Sequence, residues 1–193
     1  MLTRASRHLK HLADRARHLR RDTRGLAAVE FAMILPLMAG LFFGTIEVTR
    51  GVAINRKMTI VARTLSDLTS QSSNVDDTQL ANFLAAATAI MTPYPTTPVE
   101  ATISQVKIDK TSGAATVRWS KGAHPHTVGD SVTVPDGLKP DPGATSDVYL
   151  IWSEVRYLYQ PLTEYTMTAI NLSDETYTRP RKSLCVTYDD APC

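Results

Sequence analysis

Residues 25–50 read GLAAVEFAMILPLMAGLFFGTIEVTR, and the fold turns on how this stretch is taken. Positions 26–48 are 23 residues, about 34 Å as a helix at roughly 1.5 Å per residue, enough to cross a bilayer. Glu30 lies inside that run. An ionised carboxylate in hydrocarbon is costly unless it finds a partner, so Glu30 is a candidate functional residue, the alternative being a carboxylate near the interface solvated by headgroups. Pro36 removes one helix hydrogen bond and crowds the preceding turn, which predicts a kink or local melting there. Gly40 and Gly44 form a small-xxx-small pair that lets another helix approach closely, although glycine is common in membrane helices in any case.

Outward toward the N-terminus, residues 1–24 carry eight basic side chains (Arg4, Arg7, Lys10, Arg15, Arg17, Arg20, Arg21, Arg24) against Asp14 and Asp22, a net of +6. The whole chain is +2, so everything after the leader sums to −4. A basic arm directly before an apolar span reads as a cytoplasmic positive-inside signal rather than as a nucleic-acid arm. Leu2, Leu9, Leu12 and Leu19 suit an amphipathic helix lying on the inner membrane surface, with His8, His11 and His18 solvated on it. A cleaved secretion signal fits poorly. Its apolar stretch is about 7–15 residues and ends at a small-residue site, whereas Phe31 to Ile46 is already 16 uncharged residues with no Ala-x-Ala pattern after it.

Beyond Arg50, Ile54, Met58, Val61, Leu65 and Leu68 recur at helical spacing, so one helix of roughly 45 residues is predicted, with a stripe along its second half. The stripe can meet its own domain or a neighbouring subunit, and sequence does not separate the two. Asn74 is the expected N-cap of a second helix over 76–91, with Leu80, Phe83, Leu84, Ala87 and Met91 on its apolar side and the PYPTTP segment ending it. Strands follow. Residues 102–110 and 115–120 flank a turn at Ser112-Gly113, with Ala115, Val117 and Trp119 sharing a face. Val148, Leu150 and Trp152 keep one phase and Val155, Tyr157 and Tyr159 the other, which predicts a bulge near Ser153 or Glu154. Leu184, Val186 and Tyr188 suggest a last short strand, and 121–130 and 135–147 read as loops. The 118 residues from Asp76 to Cys193 suffice for a modest core.

The string from Arg24 to Arg50 resembles the TadE/TadG-like pseudopilins of the tight-adherence (Flp) pilus system, and its arginines, Gly25, Glu30 and Phe31 are similar to the processing site of type IV prepilins. The resemblance is specific over 24 to about 70. It implies cleavage by a membrane prepilin peptidase between Gly25 and Leu26, and a carboxylate, Glu30, that guides assembly with other pilus subunits. TadE-like and TadG-like members look alike at this end, and the short chain leans toward a TadE-like size. The fold class is then α+β: a single N-terminal transmembrane helix extended as a stalk, followed by a small head with an antiparallel sheet. The divisions are a basic cytoplasmic leader (1–25), the membrane helix (26–48), a helical stalk (49–72) and a periplasmic domain (73–193), in a protein of the bacterial inner membrane concerned with pilus assembly and adhesion. Its partners would be the prepilin peptidase, other pilus-assembly subunits and membrane lipid, with no nucleic acid. The alternative is an uncleaved single-pass anchor bearing a periplasmic binding module.

The only cysteines, Cys185 and Cys193, fall beyond the span and so in an oxidising compartment under this topology. A disulfide between them would contribute on the order of 2–3 kcal/mol by loop entropy and pin the tail; free or intermolecular thiols are the alternative. No catalytic constellation stands out, and no cofactor is implied. His124-Pro125-His126 with Asp130 lacks a fourth metal ligand. Asp189 and Asp190, read as strand neighbours, point to opposite faces. Trp152, Tyr157 and Tyr159 could line a groove but more often build core. There is no G-x-S-x-G, HExxH or Walker sequence. An enzyme is not expected.

Overall fold

The computed structural model describes residues 25–141, 143–161 and 168–191. The basic leader, with its leucine spacing and three histidines, and Cys193 lie outside them. The fold class is α+β, as read from the sequence. Helix α1 (Leu26–Ser70) is 45 residues long and continuous through Pro36, so no melting occurs there. The chain divides after Val48 into two compact units, each taken in turn.

In the first unit the apolar side chains face outward: Leu26, Phe31, Met33, Leu37, Leu41 and Phe42 are all more than half exposed. Among the described residues this is one helix long and apolar enough to cross a membrane, compatible with a single-pass anchor. So large an apolar surface is unfavourable in water and suits a lipid or protein environment.

The second unit, from Thr49 onward, is built on the rest of α1. It contains β1 (Asn74–Val75), α2 (Asp77–Thr88) and a 3-10 turn at Ala89–Met91, then β2 (Val99–Ile108), β3 (Ala115–Gly122), β4 (Ser131–Val132), β5 (Val148–Tyr159), β6 (Ile170–Thr178) and β7 (Thr187–Tyr188). Five strands form one antiparallel sheet in the order β4-β3-β2-β5-β6. The helices cover one face. Ile54, Met58, Val61 and Leu65 are buried in one cluster with Ile103, Ile151, Val155 and Tyr157, so the stripe on α1 meets its own domain. Each such side chain contributes about 1.5–3 kcal/mol through burial.

Four sequence expectations change in detail. The N-cap of α2 is Asp76, whose carboxylate accepts from the Gln79 N–H at 2.7 Å. Asn74 instead sits in β1, paired in parallel with β7, and its side chain accepts from Thr187 Oγ1 and the Asp190 N–H. The last strand is only Thr187–Tyr188, and Leu184 is 69 % exposed. The bulge lies not in β5, which pairs with β2 in unbroken register, but in β3: Gln105 faces Trp119 while Val106 faces Val117, leaving Arg118 as the extra residue. That insertion moves Trp119 off the face of Ala115 and Val117 and into the helix-covered core. The two phases of β5 are both real, because the sheet is covered on opposite faces at its two ends. Leu150 and Trp152 pack under Val132, Val134 and Leu138 on the outer face, whereas Val155, Tyr157 and Tyr159 pack under the helices.

β6 was not foreseen. Its sequence INLSDETYT carries Asn, Asp and Glu, which are poor strand formers, yet charge suits an edge strand and blunts unwanted pairing. Leu172 packs toward the helix side and Tyr177 toward the outer face.

Candidate functional site

Gly25 immediately precedes α1, is exposed, and has no atom within 4 Å of where a side chain would begin. Leu26 is the first residue of the helix and is 58 % exposed. Glu30, also exposed, stands four residues on, hence on the same side of the helix about one turn along. Gly40 and Gly44 are likewise open: a methyl group at either meets nothing within 4 Å. The five positions therefore form an exposed Gly25–Leu26 peptide bond at the start of the helix, a carboxylate one turn away, and an open small-residue patch farther along it.

In the second unit the outer face of the sheet is apolar at one end and polar at the other. By register, Glu100, Thr102 and Ser104 of β2 share this face with Trp152, Glu154 and Arg156 of β5 and Glu175 and Tyr177 of β6. Residues 123–130 cross it as a strap. The strap leaves β3 at Gly122, where the Ala123 N–H donates to the Ala101 carbonyl, and returns where the Gly129 N–H donates to the Val117 carbonyl at 2.8 Å. Midway, the His124 N–H donates to Thr102 Oγ1 at 3.0 Å and the His126 N–H to Ser120 Oγ at 2.9 Å, with Ser120 in turn bonded to Ser104. Asp130 accepts from the Thr127 N–H and closes the turn.

The two histidines, considered from sequence as metal ligands, each meet a different glutamate. His124 Nε2 is 2.8 Å from Glu100 Oε2 and His126 Nε2 is 2.5 Å from Glu154 Oε2. Among the described residues no group of three or more His, Cys, Asp or Glu is arranged for a metal ion. The His126 ring stacks on Trp152 at 4.6 Å, and Trp152 stacks on Tyr177 at 5.7 Å. Trp152 Nε1 donates to Glu175 at 3.0 Å. Burial, chiefly, and the Glu175 and Glu154 carboxylates push the Tyr177 hydroxyl well above the usual phenol range. Sequence reading missed Glu100, Glu154 and Glu175, because β6 and the cross-strand register that gathers them were not legible.

Trp152 therefore parts company with Tyr157 and Tyr159, which lie in the helix-side core. Asp189 and Asp190 are not strand neighbours but turn residues, with φ of 49° and 58°, beneath the Ala191 N–H bond to the Tyr188 carbonyl. Cys185 is buried at 5 % exposure.

The apolar first part of α1 is compatible with a single-pass membrane anchor, and the second unit is an α+β domain. More particularly, residues 25–65 match the family model described as TadE-like protein. No curated protein and no solved structure matches the chain.

Proposed function

We propose that this chain is a pseudopilin-like minor subunit that helps assemble a tight-adherence pilus through protein–protein contacts, without chemistry of its own. The observation that carries the reading is the exposed Gly25–Leu26 bond at the head of α1 with Glu30 one turn on. Cutting that bond by prepilin peptidase leaves an ammonium on Leu26. A cation is the wrong charge for the positive end of a helix dipole, and a carboxylate one turn away offsets it. In low dielectric the pairing is stronger, and supplied by the Glu30 of a neighbouring subunit it fixes axial stagger. Gly40 and Gly44 then admit the neighbouring helix. The +6 leader supports an inner-membrane topology with the N-terminus cytoplasmic and the second unit periplasmic. In that compartment Cys185 closes a disulfide with Cys193.

Intact mass and N-terminal sequencing of protein from native membranes, with and without the peptidase, test the reading. The expected terminus is Leu26, reverting to Met1 when the peptidase is absent. Met1 in both would leave an uncleaved anchor carrying a binding module and defeat the pseudopilin proposal.

A further inference from the structure

The polar end of the outer sheet face carries an electrostatic conflict that one strap residue resolves. Glu154 and Glu175 stand directly opposite each other across β5 and β6, and like charges so placed are destabilising. His126 reaches Glu154 at 2.5 Å from the strap, with side chains 29 % and 16 % exposed. Glu175 is held instead by Trp152 Nε1 at 3.0 Å and by the more distant Tyr177 hydroxyl. The second pair, His124 with Glu100, is half exposed on both sides, and such surface pairs contribute little. The groups facing His126 are thus Glu154 and Arg156 on β5, Glu175 and Tyr177 on β6, Glu100 on β2, and His124 and Asp130 within the strap.

Imidazole is the side chain whose ordinary charge change falls between pH 5 and 8. Protonated, His126 gives a charge-assisted hydrogen bond, roughly twice as strong as a neutral one, and cancels the charge that opposes Glu175. Neutral, it keeps one ordinary hydrogen bond at most and leaves two carboxylates face to face. We propose that the His126–Glu154 contact is a proton-operated latch that holds residues 123–130 on the sheet in acid and loosens them near neutrality, baring Trp152 and the Ser104–Ser120 pair. The sign follows from the contacts: only the protonated ring forms the charge-assisted bond to Glu154 and offsets the Glu154–Glu175 pair, so the hold is strongest in acid and weakens as pH rises.

Hydrogen exchange of the full chain in detergent micelles tests this, with peptides covering the strap compared at pH 5.5 and 7.5 after correction for intrinsic exchange. Protection should be about three- to fivefold higher at pH 5.5, the range expected of a part-exposed ion pair. His126→Phe keeps a ring against Trp152 but cannot titrate, and Glu154→Gln removes the carboxylate. Each should bring the ratio between the two pH values close to one, while β2 peptides stay protected and report that the variant is folded. Equal strap protection in the unmodified chain overturns the latch. So does a pH dependence that survives in either folded variant.

Discussion

Gly122 has φ +132°, and a Cβ placed there would stand 2.2 Å from the Ala101 carbonyl oxygen and 2.7 Å from the Thr102 Cα. Both obstacles are backbone of the central strand β2, which cannot move aside without breaking its pairing on two sides. The left-handed conformation is itself one that only glycine adopts without strain. It lets the chain leave β3 and turn back across the sheet, with the Ala123 N–H bonded to the Ala101 carbonyl. Gly122→Ala is therefore expected to lower stability by about 2–3 kcal/mol, combining backbone strain with the clash. Urea unfolding at constant pH measures it, and an unchanged midpoint would show that the strap is not threaded through this contact. Asp189 and Asp190 also have positive φ, but at 49° and 58°. Aspartate tolerates that region, so neither position carries the same demand.

At the scale of elements, the second half of α1 is where the head is decided. Leu65 is fully buried and belongs to the helix-side core, whereas Ile60, five residues earlier on the same helix, is 49 % exposed. Leu65→Ala should cost about 2–5 kcal/mol, as truncations in a packed core do, and Ile60→Ala no more than about 0.5 kcal/mol. Chemical denaturation of both variants separates a core helix from a free stalk, for which the two losses would be alike. This helix was legible because a four-three-four-three apolar spacing has a single structural reading. The sheet was less so. Trp119 has the parity of Val117 in sequence but not in space, because the one-residue bulge at Arg118 reverses every later side chain of β3. The paired phases of β5 looked like a bulge only because alternation cannot say that a sheet is covered on both faces. β6 escaped notice because its acids suit an edge, a property of position in the sheet and not of the strand itself. The pairs on the outer face went unseen with it, since His126 meets Glu154 across 28 residues, and only register brings Glu175 alongside.

For the molecule as a whole, the two units place opposite demands on solvent. Up to Val48 the helix exposes Phe31, Met33, Leu37, Leu41, Phe42 and Phe43, whereas from Thr49 the same helix buries Ile54, Met58, Val61 and Leu65 against the sheet. The covalent element and the folding unit do not coincide. A chain beginning at Thr49 should be soluble, monomeric by size exclusion and cooperative in thermal unfolding, since it keeps its whole core and loses the lipid-like surface. A chain beginning at Ser73, where the sequence placed the start of the head, should instead be insoluble or bind hydrophobic dye. It lacks the covering for Ile103, Ile151, Val155 and Tyr157, and four lost aliphatic contacts at about 1.5–3 kcal/mol each rival the 5–15 kcal/mol that typically holds a domain together. If both chains fold equally well, the helix merely rests on a head that is complete without it. If neither folds, the head depends on the segment before Thr49. Only the predicted asymmetry makes the helix from Thr49 onward a structural member of the domain, its stripe of Ile54, Met58, Val61 and Leu65 forming one wall of the core, and not a stalk beside a finished head.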